Sequence, residues 1–451
     1  MSKIRRLLIR CTGFHDPPDI LARELRAGAR ARATTRCATT WLLAGEALDP
    51  TYDLIVVGGG VAGASSAIAL ARDYRILLLD QAVFPRDKPC GEGIMPQGVQ
   101  VLAELGLLSE ILARGGTTIR GMRYCNRRGV VAEADFPLGL GGVAFGVVMR
   151  RYDLDHLLVR RAKSLPNVTV REGFKVTDIV REGDVVTGVE GHPVEFPSQR
   201  LVFRAPLTIG ADGRHSVFHG ACRLTKTFLR RRRYGVTGHL RGVAGIGSYV
   251  EVILHQDGEI YVAPCGEGLS LVALLLEERA MKYFKGDLAG RYLEFLKSTA
   301  GFRERIARSE LVAPVFAVGP LGFTVDPCYR PGLLLVGDSA GFLDPITGEG
   351  MTLALKSVKA AVPLIREAFA AGDFGAELGR RYAKKRLELV DDLFRFTRLL
   401  LALSRHKCLA DRAIRQMSHE EQLFQKVLGI ATGAQRYRDL SFSEKVSLLL
   451  G

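Results

Sequence analysis

A glycine-rich segment, GGGVAG at positions 58–63, constrains the fold of this chain more than any other feature. It follows the apolar run DLIVV and precedes VAGASSAIALAR, whose apolar residues recur with helical spacing. In the pattern G-x-G-x-x-G, Gly58 allows a tight turn, Gly60 lets backbone approach a pyrophosphate, and Gly63 allows close helix–strand packing. Asp80 ends the next apolar run about 20 residues on, where a carboxylate accepts hydrogen bonds from ribose hydroxyls. The segment therefore predicts a β-α-β unit that binds a dinucleotide.

Length and composition indicate a large folded protein. A chain of 451 residues, 47% hydrophobic and 25% charged, is expected to form one two-lobed enzyme or about two to three coupled domains. The longest apolar runs fall far short of the roughly 18 residues that cross a bilayer, so no membrane span is predicted. Eight cysteines without CxxC spacing predict neither a metal site nor a disulfide framework, and a cytoplasmic location fits best.

The formal net charge of +15 predicts anionic partners. Candidates are an acidic lipid surface and a phosphorylated or carrier-linked substrate. Nucleic-acid binding is not expected, because no zinc-finger, helix-turn-helix or interleaved aromatic-basic pattern occurs. The run Arg230–Arg233 and the basic group Lys384, Lys385 and Arg386 are interpreted as solvated surface, with peripheral membrane contact as the alternative.

Three further segments carry a resemblance to a known family. They are FPRDKPCGEGIMP (84–96), LTIGADGRHSVF (207–218) and GLLLVGDSAGFLDPITGEGMTLAL (332–355). Together with GGGVAG they resemble the FAD-dependent oxidoreductases of the p-hydroxybenzoate hydroxylase type, in the branch of geranylgeranyl reductase-like proteins and flavin monooxygenases. The resemblance runs from about Tyr52 to Val358 and implies that the dinucleotide is FAD.

The chain is divided into three regions by these patterns. Residues 1–50, rich in Arg, Ala and Thr, are expected to be a disordered or non-native extension. Residues 51–358 are expected to form a discontinuous, Rossmann-like FAD-binding domain, with an inserted antiparallel substrate sheet around 220–325. Residues 359–451 read as helical. The predicted fold class is therefore α/β with an inserted antiparallel sheet and a helical C-terminal region.

The resemblance implies cofactor contacts in the last of these segments. In the family, the aspartate of the GD motif binds the ribitol or pyrophosphate region of FAD, and that residue is Asp338 here. The segment PITGEGM then opens a helix at about Gly350. N–H groups near Gly348, Gly350 and Met351 are expected to face the pyrimidine edge of the flavin, where a helix N-terminus stabilises negative charge.

The middle segment and a nearby helix add two more contacts. Asp212 belongs to a DG signature that the family uses for FAD and for the approach of NAD(P)H, the expected electron donor. The arginine that usually ends this signature is replaced by His219, so the sequence departs from the family there. RYDLDHLL resembles a family helix whose arginine reaches the cofactor, which assigns Arg151.

The loop KPCGEG follows the second predicted strand and is expected to pass the adenosine ribose and the flavin. Arg86 is expected to meet phosphate or ribose, and Gly91 and Glu92 are placed among the cofactor contacts. Cys90 is a candidate catalytic residue beside the flavin, as the reductase-like branch suggests; the alternative is a small buried apolar side chain. CGEG recurs at Cys265–Gly268, which we interpret as coincidence.

The reaction is left open between three classes. A monooxygenase acting on a lipophilic or aromatic molecule is favoured, since the only tryptophan, Trp41, excludes the Trp-x-Trp motif of halogenases. EIYVAP supplies Tyr261, a candidate catalytic residue, but lacks the tryptophan of prenyl reductases. Reduction of an isoprenoid double bond is the alternative. A flavin-free NAD(P) dehydrogenase or non-catalytic nucleotide binder is the third.

No acid–base pair is evident in the sequence. Flavin chemistry does not require a dedicated pair, because the cofactor carries the difficult redox step. Four histidines are accordingly assigned surface or core roles: His215, His219, His239 and His255.

Overall fold

The computed structural model describes residues 52–139 and 141–450. The extension expected at residues 1–50 lies outside the described residues.

The described strands, in chain order, are β1 Leu54–Val57, β2 Ile76–Leu79, β3 Gly93–Ile94, β4 Thr117–Ile119, β5 Gly121–Cys125, β6 Val131–Asp135, β7 Gly146–Val148, β8 Val168–Arg171, β9 Phe174–Glu182, β10 Val185–Pro193, β11 Leu201–Arg204, β12 Leu207–Gly210, β13 Thr225–Arg241, β14 Tyr249–His255, β15 Gly258–Pro264, β16 Leu269–Glu277, β17 Glu310–Leu311, β18 Phe316–Asp326, β19 Tyr329–Arg330, β20 Leu333–Leu335 and β21 Gly341–Phe342. The described α-helices are α1 Val61–Leu70, α2 Pro96–Glu104, α3 Leu108–Ala113, α4 Arg151–Lys163, α5 Val217–Ala221, α6 Leu288–Ser298, α7 Gly350–Ala371, α8 Ala376–Arg405, α9 Lys407–His419, α10 Glu421–Ala431 and α11 Phe442–Leu450.

The first layer is a sheet with strand order β19-β20-β12-β1-β2-β8. Every neighbouring pair in it is parallel except β19 with β20. Strands β1, β2 and β20 are continuous runs of Leu, Ile and Val that are buried along their whole length. Such runs are typical of parallel strands covered by helices on both faces. The predicted α/β, Rossmann-like fold is confirmed.

The second layer is a larger mixed sheet with order β21-β18-β13-β16-β15-β14-β5-β6. The strands from β13 to β18 correspond to the predicted inserted sheet. Strands β5 and β6 come from earlier in the chain and extend it, because β5 pairs in parallel with β14. One face of this sheet packs against α6, where the Tyr292 hydroxyl donates to the Val272 carbonyl at 2.8 Å. The other face meets α9, α10 and the turns described below.

Helices form the C-terminal region, as predicted. Helix α7 packs against α1, the helix between β1 and β2, and against α8. The hydroxyl of the buried Tyr382 on α8 donates to the Leu335 carbonyl at 2.8 Å, which ties α8 to β20. Among the described helices, none combines the length and apolarity needed to span a bilayer.

Candidate cofactor site and the adjoining sheet face

Four turns meet at the carboxyl edge of the parallel sheet. Gly58 follows β1, Asp80 follows β2, Asp212 lies just beyond β12, and Asp338 lies just beyond β20. The pairing registers bring the ends of these four strands level with one another. Open α/β sheets bind ligands in the crevice outside this edge. The structure thus brings together residues that the sequence analysis took from separate motifs.

Two of the motif glycines are required by close backbone packing. Gly58 has φ +103°, and a Cβ there would lie 2.4 Å from the Ala211 carbonyl oxygen. A Cβ on Gly63 would lie 1.7 Å from the Gly58 carbonyl oxygen. The first strand, its turn and α1 therefore fit only without these side chains.

The third motif glycine faces a pair of arginines. A Cβ on Gly60 would meet no backbone; its nearest atoms would be guanidinium nitrogens of Arg151 at 3.5 Å and Arg86 at 3.8 Å. Both arginines bind Asp155, at 2.7 Å from Arg151 and 2.6 Å from Arg86. Although burial opposes it, Arg151 holds the pKa of the fully buried Asp155 below its usual value. Two guanidinium groups fixed in this way beside a glycine turn suit a pyrophosphate.

Lys88 lies close to these two arginines and is not among the residues predicted from the sequence. Its Nζ lies 3.4 Å from the position that a Cβ on Gly213 would take. Burial, reinforced by Arg151, lowers the pKa of Lys88, whereas Asp338 opposes the shift. A bound phosphate would favour the charged form of this lysine. Lys88 could have been predicted from the sequence, because it lies two residues after Arg86 in the loop that follows the second strand.

The three candidate aspartates differ in what they offer a ligand. Asp80 accepts backbone N–H groups from Gly59 at 2.6 Å and Ala82 at 2.8 Å, and so braces the glycine turn. Asp212 accepts from a backbone N–H with Oδ2, while its buried Oδ1 has no partner among the described residues. Burial raises the pKa of Asp212 to about 6. Asp338 is half-buried in the short turn that follows β20.

The start of α7 lies at the same edge. Gly348 has φ +69°, and Gly350 is the first residue of the helix. Met351 is only 5% exposed, and its side chain packs into the core with α1 and α2. Its side chain is therefore directed away from the turn, and any contact with a cofactor would come from its backbone N–H. Glu349, between the two glycines, is buried, and burial raises its pKa to about 8.

Glu92 joins the CGEG loop to the large sheet. It is 1% exposed and has φ +58°, a left-handed conformation that non-glycine residues rarely adopt. One carboxylate oxygen accepts from the Arg151 backbone N–H at 3.0 Å. The other lies 2.9 Å from His239 Nε2 and 3.6 Å from Cys265 Sγ. The second CGEG segment thus places its cysteine next to the glutamate of the first.

Gly91 and Cys90 of the same loop differ in their surroundings, since Gly91 borders open space and Cys90 packs against the core. No atom lies within 4 Å of the position that a Cβ on Gly91 would take. Burial raises the pKa of the Cys90 thiol, and its Sγ accepts from the Glu92 N–H at 3.3 Å. Cys90 is therefore held as a thiol at neutral pH. Ligand-type atoms of Glu92, His239 and Cys265 lie within 4.8 Å of one another, a grouping that could hold a metal ion and that the sequence analysis did not foresee.

The sheet face next to these turns is set by strand alternation. Successive side chains point to opposite faces, so His239 on β13 shares its face with Thr237, and Tyr261 on β15 shares its face with Ala263. The Tyr261 hydroxyl donates to the Ile346 carbonyl in the turn before α7, at 3.4 Å. Tyr261 therefore connects the sheet to the turn that opens α7.

The interpretation of the basic runs as solvated or membrane-facing surface is wrong at two positions. Arg233 is 2% exposed and contacts Asp344 at 3.0 Å and Glu259, because the alternation of β13 turns it inward. Arg386 is also buried and donates to the Gly341 carbonyl at 3.0 Å. A charge run in sequence does not show which of its members face the interior.

The residues at this edge fit FAD. The glycine turn at Gly60 has free space beside it and faces Arg86 and Arg151. Along the same edge, Asp212 Oδ1 is buried without a hydrogen-bond partner among the described residues, and the backbone of Gly91 borders free space. These groups would hold the pyrophosphate, the sugar hydroxyls and the flavin edge. FAD, when bound, supplies two-electron redox chemistry.

Comparison with known proteins agrees with this fit. Residues 51–263 match the family model for the FAD binding domain. A menaquinone reductase of Mycobacterium tuberculosis is 27% identical over 400 residues, which cover 82% of this chain and 92% of that protein. Squalene monooxygenase of Rattus norvegicus is 26% identical over 78% of this chain and 62% of that protein. A digeranylgeranylglycerophospholipid reductase of Thermoplasma volcanium is 26% identical over 76% of this chain and 84% of that protein.

Solved structures share the fold. A flavoprotein/dehydrogenase from Cytophaga hutchinsonii superposes with a TM-score of 0.76 at 20% identity, over 85% of this chain and 93% of that one. The myxobacterial chondrochloren halogenase superposes with a TM-score of 0.73 at 20% identity, over 89% of this chain and 96% of that one. The fold and the site define an FAD-dependent oxidoreductase. These findings agree with the resemblance of the sequence motifs to the p-hydroxybenzoate hydroxylase type.

Asp155 and His239 lie at the site but are not among the residues predicted from the sequence. Asp155 could have been found, because it lies four positions after Arg151 on the same helix face, where opposite charges pair. His239 could not, because its partner Glu92 is 147 positions away and no local pattern links them.

Proposed function

We propose that this chain reduces carbon–carbon double bonds in the polyprenyl part of a lipid, with FAD as its redox cofactor. The observation that carries the proposal is the character of the sheet face beside the FAD turns. Around Tyr261, this face carries the small or apolar side chains of Ala263, Leu271 and Ala273, none more than 9% exposed. Small and apolar side chains beside the FAD turns suit a hydrocarbon chain better than a polar substrate.

The relatives support the same substrate class. Menaquinone, squalene and digeranylgeranyl lipids, which appear in the names of three relatives, all carry isoprenoid units. The two reductases match over 92% and 84% of their own length, whereas the monooxygenase matches over 62%. The more complete matches favour reduction over oxygenation.

Monooxygenation of a lipophilic molecule is the second candidate. The match to squalene monooxygenase favours it, since that protein is 26% identical over 373 residues. The same apolar face would suit an oxygenated product as well as a reduced one.

The decisive experiment separates the two reactions by product mass. FAD-loaded enzyme is reduced without oxygen and mixed with a polyprenyl lipid such as menaquinone in detergent. The expected result is a gain of two hydrogen atoms in the polyprenyl chain without oxygen present, measured after the quinone ring of the extracted lipid has been chemically reoxidised. A product that forms only in air and carries an atom from ¹⁸O₂ would instead establish the monooxygenase. A lipid unchanged under both conditions would refute both.

NAD(P)H as electron donor is part of the proposal. It is supported by the DG turn at Asp212, which lies beside the short turn of Asp338 at the open edge of the sheet. Loss of the oxidised flavin absorbance on addition of NADH or NADPH tests it. Reduction by dithionite alone would reject both nucleotides.

Peripheral contact with an anionic membrane on the cytoplasmic side is also proposed. Lys384 and Lys385 are exposed on α8, and the adjacent Leu387 is 61% exposed. Basic residues around an exposed apolar side chain favour an anionic lipid surface. Sedimentation with phosphatidylglycerol vesicles should bring the enzyme down at low salt and release it at high salt, because salt screens the attraction. Binding that is absent at low salt would contradict this.

A further inference from the structure

We propose that Glu92, His239 and Cys265 form a binding site for a divalent transition-metal ion, and that this ion is Zn²⁺. The site is independent of the reaction proposed above. Its side chains come from three separate segments, namely the CGEG loop, β13 and the turn between β15 and β16. No spacing in the sequence indicates it, because Glu92 and Cys265 are 173 positions apart and meet only where the loop packs against the large sheet.

The spacing of the three ligand atoms suits one ion. Glu92 Oε2 lies 2.9 Å from His239 Nε2 and 3.6 Å from Cys265 Sγ, and all three atoms lie within 4.8 Å of one another. Zinc binds oxygen and nitrogen at about 2.0–2.2 Å and sulfur at about 2.3 Å, which sets ligand atoms about 3.3–3.6 Å apart in a tetrahedron. The distances of the Glu92 oxygen from its two neighbours lie within about 0.4 Å of these values.

The burial of the Glu92 carboxylate also favours a cation. Glu92 and His239 are 1% and 4% exposed. Among the described residues, no lysine or arginine side chain forms an ion pair with Glu92. Carboxylates in the interior are paired with a cation or bound to a metal, because an isolated charge is costly there. A metal ion at this place supplies the positive charge.

Backbone contacts outside the cluster hold the three ligands in place. Glu92 has the left-handed φ of +58°, and its other carboxylate oxygen accepts from the Arg151 backbone N–H at 3.0 Å. Strain of this kind persists where the surroundings require one orientation. Cys265 lies in a tight turn in which its N–H donates to the Leu269 carbonyl at 2.8 Å, and His239 lies within the ladder between β13 and β16. Ligands fixed in this way lose little conformational freedom when an ion binds.

The ligand types select the ion. A sulfur and an imidazole nitrogen favour Zn²⁺ over Mg²⁺ and Ca²⁺, which take oxygen ligands. Coordination breaks the S–H bond of Cys265, and the proton leaves to water, so that Zn²⁺, one thiolate and one carboxylate together carry no net charge. Three protein ligands leave one position of a tetrahedral ion to water or to a group of a substrate, as in catalytic zinc sites.

The test uses the tag-free, FAD-loaded enzyme and the variant Cys265→Ser, with Cys125→Ser as the matched control. Cys125 is also partly buried in the large sheet, but its thiol lies outside the cluster. After equilibration with ZnCl₂ and dialysis, the wild type and C125S should retain about one zinc per chain, measured by mass spectrometry. C265S should bind Zn²⁺ at least about 100-fold more weakly, since loss of an outer contact to a ligand already costs about 10–100-fold. A wild type that retains no zinc, or a C265S variant that retains as much as the wild type, would overturn the proposal.

A second measurement needs no variant. The X-ray absorption spectrum of zinc in the wild-type enzyme should show one sulfur at about 2.3 Å together with nitrogen or oxygen atoms at about 2.0–2.2 Å. Zinc surrounded by nitrogen and oxygen alone would overturn the site, even if C265S fails to fold. Neither measurement involves a lipid. If the enzyme binds zinc in this way but reduces no double bond, the zinc site stands and the proposed function fails.

Discussion

Glu349 at the start of α7 is a buried carboxyl whose replacement should have a pH-dependent effect on stability. It is 5% exposed, and its Oε1 has no hydrogen-bond partner among the described residues. Burial raises its pKa from 4.5 to about 8, against the opposing effects of Lys356 and Thr352. Glutamine has the shape of the neutral acid and carries no charge at any pH, so Glu349→Gln isolates the ionisation.

The sign follows from comparing the folded and unfolded chains. The unfolded chain ionises Glu349 near 4.5, whereas the folded chain keeps it protonated up to about 8. The stabilisation is therefore fully present below the unfolded value and is lost as the pH rises through the folded pKa. The loss is about 1.4 kcal/mol for each pH unit in this interval and at most about 5 kcal/mol in all.

Denaturant unfolding of the holoenzyme at two pH values measures the effect. Between about pH 5.5 and about pH 7.5, the wild type should lose about 2.5 kcal/mol relative to E349Q. Glu377→Gln is the control, because that carboxyl is on α8 with a side chain 58% exposed. It should follow the wild type at both pH values. If the unfolding free energies of wild type and E349Q change in parallel, Glu349 is ionised in the folded protein and the reasoning from burial is refuted.

Three further substitutions test the site. Gly63→Ala should abolish FAD retention, because its Cβ would lie 1.7 Å from the Gly58 carbonyl oxygen; a visible flavin spectrum in the purified variant would contradict this. Asp155→Asn should weaken FAD binding by about tenfold or more, since it removes the anion that orients both arginines; titration of the apoprotein with FAD measures it, and an unchanged Kd would disprove it. Arg233→Met should lower the free energy of unfolding, measured with denaturant, by about 3–5 kcal/mol, because it removes the guanidinium that contacts Asp344 in the interior. A loss below about 1 kcal/mol is the size expected for an exposed ion pair and would contradict the buried contact.

The core of the cofactor site could be predicted because its signals are local. Gly58, Gly60 and Gly63 lie within one turn, and the backbone they allow is fixed by their spacing. Continuous apolar runs marked β1 and β2 as buried strands, which is typical of a covered parallel sheet. Asp80 then followed from its place at the end of β2, whereas Asp338 followed from the resemblance of its GD motif to the family.

Other parts of the site depend on contacts between distant segments. Arg233 and Asp344 are 111 positions apart, and the sequence presents Arg233 only as one letter in a basic run. Its burial is decided by which face of β13 meets the turn before α7, and strand alternation alone does not give the orientation of the sheet.

The sequence by itself determined the βαβ unit, the FAD motifs and the helical C-terminal region, because each depends on residues close together in the chain. Only the tertiary structure placed Glu92 of the CGEG loop against His239 of the large sheet, 147 positions away. That contact requires two layers to pack in one relative position. The physical reason is that backbone turns and apolar periodicity are local properties, whereas the pairing of buried polar groups is decided by how the layers meet.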